Sequence, residues 1–463
     1  MVEFGCIKNC FYEAFKSDNT FESISFVGSA SKKKIYNDID IIFISKGDLN
    51  SEIFLKTLEK IKNFKRYKIF YKYNIKINSE FGPIKYNFKP NDIVFHCMFY
   101  DVKSHIKHVI ESPFTCYDWE RTEVSLKKKI SEVFSVNNLM ISDFFKSNRN
   151  INQFTKNLKK REISCSKFLT KGKKIKLIKF NKKVNNRNIY IFSRNIVFHT
   201  VNNFLKFHNG KNKKYKITEI KNFIESKLKT KDADLLNYNF SIKVEQIVSR
   251  TISFLKTIKT YINKYDRGLN KILIIRHFKT KYKKEVFIGQ RINPNILIKN
   301  LNIISKKKKI TIYSSPSKRT TQSCKLLYPK NKIIINDLLK EIDYGRVEGL
   351  TFASLKDKYP NTFNKMINNK KFSFPGGESQ DQLELRVKKF FFEIIKLNKK
   401  EIVVCTHNNF IRIILGKILN INKKNYYKIQ VPYGKKIRFV VKNKKIYPDF
   451  NRVMLYKFLS QII

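Results

Sequence analysis

The pattern of apolar and polar positions changes twice along the 463-residue chain. In the first stretch, short apolar runs at 21–27, 39–44 and 93–100 are bounded by polar loops, which is typical of β strands. Helical patterns lie between these runs. This alternation predicts an α+β domain over residues 1–130.

The second stretch, residues 131–267, begins with polar, Lys-rich segments. Apolar residues then recur at helical spacing over 195–207, 217–228 and 244–262. This spacing predicts a mainly helical middle segment.

The third stretch, residues 268–463, alternates strands with helices. The runs ILII, ITIYSS and EIVVCT predict strands, and helical patterns separate them. Such alternation favours a sheet covered by helices. The predicted fold class is therefore α/β multidomain: an α+β N-terminal domain, a helical middle segment and a C-terminal α/β three-layer domain.

Composition narrows the class of protein. Hydrophobic residues make up 42% of the chain and aromatic residues 14%, which excludes a disordered or fibrous protein. No apolar run approaches the ~20 residues that span a bilayer, so no membrane partner is expected. The seven cysteines are scattered, without the paired spacing of a disulfide framework or a zinc site. These features predict a cytoplasmic protein.

The charge is strongly positive, with 96 basic and 37 acidic residues and a formal net charge of +59. A nucleic-acid partner is one explanation, because lysines that neutralise phosphates release counterions. Compositional drift is the other, and the even spread of lysine from Lys8 to Lys457 favours it. Under either explanation the positive field attracts phosphorylated substrates.

The segment FVGSASKKKIYNDIDIIFI at 26–44 combines a Gly-Ser pair with two acids. Gly28 and Ser29 end one predicted strand, where backbone and hydroxyl groups can approach a phosphate. Asp38 and Asp40 begin the next strand and project to the same face, because side chains alternate along a strand. Two adjacent carboxylates favour a hard cation such as Mg²⁺ between them.

This segment resembles the signature of the nucleotidyltransferase superfamily that includes DNA polymerase beta. The resemblance implies that the Gly-Ser pair binds the nucleotide and that the two acids hold Mg²⁺ for transfer from an NTP. The loop between the strands is slightly shorter than the family pattern. A third metal-binding acid is expected on a following strand, where Asp92 is the candidate and His96 lies further along.

The C-terminal stretch carries five short motifs in a fixed order. The first, KILIIRHFKT, delivers Arg276 and His277 at the carboxyl end of a predicted strand, where α/β sheets place their active sites. Then IYSSPSKRTTQS contains Arg319, LLKEIDYGRVEGLTF contains Glu341, FPGGES forms a Gly-Gly turn, and IVVCTHNNFIRI ends a strand with His407.

This ordered set resembles the histidine phosphatase superfamily, the phosphoglycerate-mutase-like proteins. The resemblance implies that His277 forms a phosphohistidine, flanked by Arg276. Arg319 and His407 would complete the phosphate pocket, and Glu341 would protonate the leaving oxygen. Arginine and histidine suit these roles, because they can clamp the negative charge of a transferring phosphoryl group. No cofactor is implied for this domain.

The resemblance covers nearly all of 271–463, with departures beside both histidines. Phe278 and Lys279 stand where the family has glycine and an acidic residue. Asn408 and Asn409 replace a glycine pair. Phe278 is expected to crowd or reshape the pocket, although the catalytic residue types are all present.

In the middle segment, Arg194 and His199 have the Arg-x4-His spacing that resembles HEPN-type ribonucleases. A single pair at this spacing arises easily by chance, and Val197 and Phe198 between them fit core packing. The segment is therefore predicted to close over the transferase site or to join the domains. Trp119, the only tryptophan, is predicted to be core or a cap on that site.

Together these features predict a bifunctional enzyme. One activity is hydrolysis of a phosphomonoester through His277, and the other is metal-dependent nucleotidyl transfer from an NTP to a small metabolite. The expected partners are a phosphorylated small molecule and an NTP. The alternative is a nucleic-acid-binding or RNA-end-processing protein, in which one or both domains act mainly as binding modules.

Overall fold

The computed structural model divides the chain into two compact units, Met1–Asp266 and Arg267–Ile463. The residues it describes are 2–28, 35–36, 38–84, 89, 91–136, 139–146, 151–209, 215–237, 240–282, 285–297, 310–368, 371–450 and 452–454. None of the helices within these ranges combines the length and the apolar character that a membrane crossing requires.

The N-terminal unit contains both strands and helices. Its strands are β1 (Val2–Glu3), β2 (Phe21–Val27), β3 (Ile35–Tyr36), β4 (Asp38–Ser45), β5 (Asn74–Asn78), β6 (Glu80–Phe81), β7 (Asp92–Asp101), β8 (Val124–Ser125), β9 (Glu162–Lys171) and β10 (Lys174–Lys183). Its helices are α1 (Phe4–Phe15), α2 (Ser51–Lys62), α3 (Val102–Glu111), α4 (Pro113–Glu120), α5 (Ile130–Val133), α6 (Asp143–Lys146), α7 (Ile151–Lys160), α8 (Asn186–Asn209), α9 (Ile217–Phe223) and α10 (Val244–Gly268).

A five-stranded sheet lies in the first half of this unit, with the strand order β5-β7-β4-β2-β8. β4 is its central strand, parallel to β7 and antiparallel to β2. The three strands predicted from apolar runs are confirmed as β2, β4 and β7. Phenylalanines fill the core beside the sheet, and the rings of Phe43 and Phe99 stack with centroids 4.9 Å apart.

The middle segment contains helices and, in addition, a strand hairpin that was not predicted. Helices α8 and α10 agree with the spacing seen over 195–207 and 244–262, and α9 continues as a π turn to Leu228. Between α7 and α8, however, β9 and β10 form an antiparallel hairpin. β9 also pairs with β6, so residues on both sides of position 130 share a sheet. All lysines of β10 are exposed.

The C-terminal unit is an α/β fold. Its strands are β11 (Asn270–Arg276), β12 (Thr311–Ser314), β13 (Ile333–Ile335), β14 (Glu401–Thr406), β15 (Lys436–Lys442) and β16 (Lys445–Pro448). Its helices are α11 (Lys318–Leu327), α12 (Phe352–Lys358), α13 (Pro360–Ile367), α14 (Gln380–Lys396) and α15 (Asn408–Ile418).

These strands form one sheet in the order β13-β12-β14-β11-β15-β16. β11, β12, β13 and β14 are parallel, and β15 is antiparallel to β11. The predicted alternation of strands and helices is confirmed for this unit. Because parallel strands bring their carboxyl ends to one edge, the residues that follow β11, β12 and β14 meet there.

Two glycines hold the chain after β13 against the Gly-Gly turn. Gly345 has a φ of +55°, and a Cβ at this position would lie 2.2 Å from the Pro375 carbonyl oxygen. A Cβ at Gly377 would lie 2.3 Å from the Asp343 carbonyl oxygen. The backbone N–H of Glu378 donates to that same carbonyl at 2.8 Å. Only glycine allows the two segments to approach so closely.

We expect Gly345→Ala to lower the free energy of unfolding by more than ~2 kcal/mol, because a left-handed backbone and a backbone overlap add together. Gly268→Ala is the matched control, since a Cβ there meets nothing within 4 Å. Denaturant unfolding followed by circular dichroism checks both variants. Equal stability of the two proteins would contradict the packing described.

Candidate active site

Three parallel strands end at one edge of the C-terminal sheet. β11 ends at Arg276, β12 leads to Ser315 and β14 leads to His407. The backbone N–H of His277 donates to the Thr406 carbonyl at 3.1 Å, which joins the ends of β11 and β14. The ring centroids of His277 and His407 are 5.2 Å apart. The sheet therefore brings the two predicted histidines together.

The imidazole of His277 is held in a form suited to nucleophilic attack. Its side chain is buried, and Nδ1 lies 2.7 Å from the Phe278 carbonyl oxygen. Because a carbonyl oxygen can only accept, Nδ1 carries the proton and Nε2 carries the lone pair. Burial lowers the pKa of His277 to about 3, and the positive charge of Arg319 acts in the same direction. The ring therefore stays neutral at ordinary pH.

Arg319 is a cation only 1% exposed, in the first turn of α11. Its Nε–H donates to His407 Nδ1 at 3.2 Å. Its terminal nitrogens donate to the carbonyls of Ile292 at 3.1 Å and Gly289 at 2.6 Å. Since His407 Nδ1 accepts, its Nε2–H donates to Ser315 Oγ at 2.9 Å. Burial, reinforced by Arg319, lowers the pKa of His407 well below its usual value.

Glu348 orders the loop that receives Arg319. Its carboxylate accepts from the backbone N–H groups of Gly289 at 3.0 Å, Gln290 at 3.1 Å and Arg291 at 2.9 Å. Glu348 was not among the predicted site residues. Its position in the YGRVEG segment, close to Glu341, could have indicated a role in the site. Only the fold shows that its carboxylate reaches this loop.

Glu341 is 5% exposed and lies close to the second histidine. One carboxylate oxygen accepts from the Ile342 N–H at 2.9 Å, and the other accepts from the Asn409 N–H at 3.4 Å. Asn409 is two residues beyond His407, in the first turn of α15. The predicted acid and the predicted phosphate-binding histidine are therefore neighbours.

Arg386 on α14 fixes the path of the chain that leads to Glu341. Its guanidinium forms a bidentate ion pair with Glu378 of the Gly-Gly turn, at 2.9 and 2.7 Å. It also donates to the carbonyls of Leu338 at 2.7 Å and Lys340 at 2.9 Å. No motif pointed to Arg386, because its partners come from two distant segments.

The structure shows where the residues that depart from the family pattern lie. Phe278, expected to crowd or reshape the pocket, joins a buried apolar cluster. A Cβ at Gly434 would lie 2.8 Å from its ring, so the two residues are complementary. Lys279 is exposed. Asn409 also donates from its side chain to the Tyr344 hydroxyl at 2.7 Å.

In the N-terminal unit, Asp38 and Asp40 lie on β4 beside β7, and Asp40 is in register with His96. His96 Nε2 is 2.6 Å from Asp38 Oδ1. His96 Nδ1 accepts from Asn78 Nδ2 at 2.8 Å, an orientation fixed because Asn78 Oδ1 accepts from the Glu80 N–H at 2.9 Å. His96 therefore donates its Nε2 proton to Asp38.

Gly28 has a φ of +74°, and a Cβ there would lie 2.9 Å from Asp40 Oδ2. Ser29 lies outside the described residues. Asp92, at the start of β7, accepts from the Lys89 N–H at 3.1 Å. His96 is thus a β7 residue that contacts Asp38, and the role of Asp92 as a metal ligand stays a prediction. Across the described residues, no group of three or more His, Cys, Asp or Glu side chains is placed to hold a metal ion.

The other residues singled out in the first half of the chain have structural contacts. Arg194 donates from Nε to the Leu236 carbonyl at 2.9 Å, and Phe198 beside it is buried. Trp119 packs against an apolar cluster and stacks on His108, with ring centroids 5.1 Å apart. The nuclease and the cap interpretations stay predictions.

The low pKa of His277 predicts a pH effect on stability. An unfolded histidine gains a proton below pH 6.5, whereas folded His277 stays neutral to about pH 3, so stability is lost as the pH falls between these values. In His277→Gln the free energy of unfolding should fall less steeply with decreasing pH than in the parent, by up to ~1.4 kcal/mol per pH unit.

Denaturant unfolding at several pH values between 4 and 7 is the measurement. His199→Gln is the control, because His199 is exposed on α8. A His277→Gln protein with the slope of the parent would show that the buried ring is protonated as readily as a free one.

Comparisons with known proteins agree with this geometry. Residues 272–448 match the model of the histidine phosphatase superfamily, branch 1. Phosphoserine phosphatase 1 of Hydrogenobacter thermophilus is 32% identical over 120 residues, 25% of this chain and 57% of that protein. Fructose-2,6-bisphosphatase of Saccharomyces cerevisiae is 26% identical over 124 residues, 27% of this chain and 26% of that protein.

Among solved structures, alpha-ribazole phosphatase from Shigella flexneri aligns with 40% of this chain and 96% of its own, at 13% identity and a TM-score of 0.36. The chain spans just over half and about a quarter of the two curated relatives named above. The family match covers the same unit that holds the two histidines, the arginines and the glutamate of the candidate site. Residues 272–448 are a histidine phosphatase superfamily domain of branch 1.

Proposed function

We propose that the C-terminal unit hydrolyses phosphomonoesters through a phosphohistidine at Nε2 of His277. One observation carries this proposal: the hydrogen bond from Nδ1 to the Phe278 carbonyl, in a site where burial lowers the pKa of His277 to about 3. The ring is neutral, and its lone pair is on the nitrogen that is not engaged by that carbonyl. A nucleophile must be both deprotonated and oriented. Burial supplies the first condition and the contact with the Phe278 carbonyl supplies the second.

In the first step, Nε2 attacks phosphorus and the bond to the ester oxygen breaks. Glu341 gives its proton to the departing oxygen, so the product alcohol leaves neutral. The ring of His277 becomes positive, because Nδ1 keeps its proton. The Phe278 carbonyl, 2.7 Å from Nδ1, stabilises that charge.

In the second step, water attacks phosphorus and the Nε2–phosphorus bond breaks. Its electron pair returns to Nε2, Glu341 takes the proton from water, and inorganic phosphate leaves. Arg276 and Arg319 supply positive charge to the phosphoryl oxygens in both steps. The Nε2–H of His407, which donates to Ser315 Oγ in this structure, would exchange that acceptor for a phosphoryl oxygen. The N–H groups of these three residues suit a transition state in which negative charge spreads over three oxygens.

His277→Ala should abolish hydrolysis of an aryl phosphate, and the parent should form an acid-labile phosphoenzyme. Arg319→Ala and Glu341→Gln should each reduce kcat/KM on the order of 10²–10⁴-fold, which is typical for loss of a charge clamp or a general acid. Arg276→Ala should behave like Arg319→Ala. Steady-state kinetics with 4-nitrophenyl phosphate provides the measurement.

Lys325→Ala is the matched control, because it removes an exposed cation from the same helix as Arg319. It should keep the kcat/KM of the parent. Full activity of the His277→Ala protein would sink the proposed mechanism. Phosphatase activity that disappears on removal of divalent ions would also speak against it.

We further propose a Mg²⁺-dependent nucleotide site in the N-terminal unit. Its support is that Asp38 and Asp40 lie on one strand face and that the Asp40 carboxylate packs against Gly28. Magnesium is commonly bound by one or two carboxylates together with substrate phosphates, so the acid pair fits it. The ion would stabilise the charge of a triphosphate during transfer. NTP and nucleic acid as partners stay predictions.

If this second proposal holds, NTP and Mg²⁺ together should raise the melting temperature of the parent and not of Asp40→Asn. Asp48→Asn is the control, because Asp48 is 89% exposed. Thermal unfolding with and without each ligand is the measurement. A metal-independent NTP effect, equal in all three proteins, would leave the acid pair with no role as a metal site.

A further inference from the structure

The segment Val431-Pro432-Tyr433-Gly434 lies directly over the end of β11. The backbone N–H of Gly434 donates to the carbonyls of both Arg276 and His277, each at 3.1 Å. Arg276 Nη1 donates to the Val431 carbonyl. Three hydrogen bonds therefore fix this segment relative to the histidine that we assign as the nucleophile.

Gly434 is the residue that permits this approach. It has a φ of +68°, and a Cβ would lie 2.8 Å from the ring of Phe278. Phe278 occupies the position next to His277 where the family has glycine. The ring of Phe278 thus packs where residue 434 has no side chain. This packing fixes the position of the neighbouring Tyr433.

Tyr433 stands at the candidate active site. Its ring centroid is 3.8 Å from the guanidinium carbon of Arg276 and 5.5 Å from the ring centroid of His277. The residue is nevertheless 46% exposed. The ring thus contacts a phosphate-binding arginine, while much of its surface remains open to solvent.

We propose that Tyr433 forms a leaving-group subsite that selects phosphomonoesters carrying a planar aromatic ring next to the ester oxygen. This rests on the proposed hydrolysis at His277. The phosphorus must approach Nε2 of that ring, so the group attached to the ester oxygen lies within reach of Tyr433. Aromatic rings prefer offset-stacked or edge-to-face contacts with another ring, which a puckered saturated ring does not reproduce.

The test uses two ligands that differ only in the ring, benzylphosphonate and (cyclohexylmethyl)phosphonate. Neither can be hydrolysed, so calorimetry reports binding independently of turnover. The parent should bind benzylphosphonate more tightly. In Tyr433→Leu this preference should shrink about 2- to 10-fold, the size of one aromatic contact, whereas Tyr433→Phe should retain it.

Tyr427→Leu is the matched control, because Tyr427 is 59% exposed on the short helix that precedes the segment. It should keep the preference of the parent. Benzyl phosphate and cyclohexylmethyl phosphate, which are one atom longer between ring and phosphorus, repeat the comparison as a ratio of kcat/KM. Their leaving oxygens are chemically alike, so the ratio reports the ring and not the reactivity of the ester.

Two results would overturn the subsite. One is an equal loss of affinity for both phosphonates in Tyr433→Leu, which would reduce Tyr433 to a residue that positions Arg276. The other is an unchanged preference in that variant. Failure of the parent to bind either phosphonate would instead remove the proposed phosphatase function, and the subsite with it.

Discussion

Burial of the Arg319 guanidinium is the constraint on which the candidate active site depends. A cation that is 1% exposed is stable only where hydrogen bonds replace its lost water. Here the replacements are two carbonyls of the 289–292 loop and the Nδ1 atom of His407. All three are neutral, so the positive charge stays available to an anion in the pocket. Glu348 contributes indirectly, because its carboxylate accepts from backbone N–H groups of the loop and so holds the loop in place.

This arrangement explains how two histidines coexist with two arginines in one pocket. Burial and the nearby positive charge both lower the pKa of His277 and of His407, so neither ring competes with the arginines for the role of cation. The hydrogen bonds then assign different tasks to the rings. His277 has its proton on Nδ1, and His407 has its proton on Nε2. One ring has the unprotonated Nε2 that the proposed nucleophile requires and the other donates from Nε2, although both are neutral imidazoles.

The segments around the pocket are held by contacts that leave no room for larger residues. Gly345 packs against the Gly-Gly turn, and Gly434 packs against Phe278. The first contact, together with the Arg386–Glu378 ion pair, fixes the position of the segment that carries Glu341. The second contact fixes the position of Tyr433. The bulky Phe278 beside the proposed nucleophile is therefore accommodated by the absence of a side chain at Gly434.

The sequence by itself determined which strands end in catalytic residue types. Arg276, His277 and His407 follow apolar runs, and parallel strands must bring such ends to one edge. What it could not determine was pairing across long distances. The β9–β10 hairpin was not among the predicted elements, and only the β4–β7 register shows that His96 reaches Asp38. Tertiary structure decided these points, because hydrogen-bond partners and strand register depend on segments far apart in the chain. The local sequence around one segment does not indicate which distant segment it contacts.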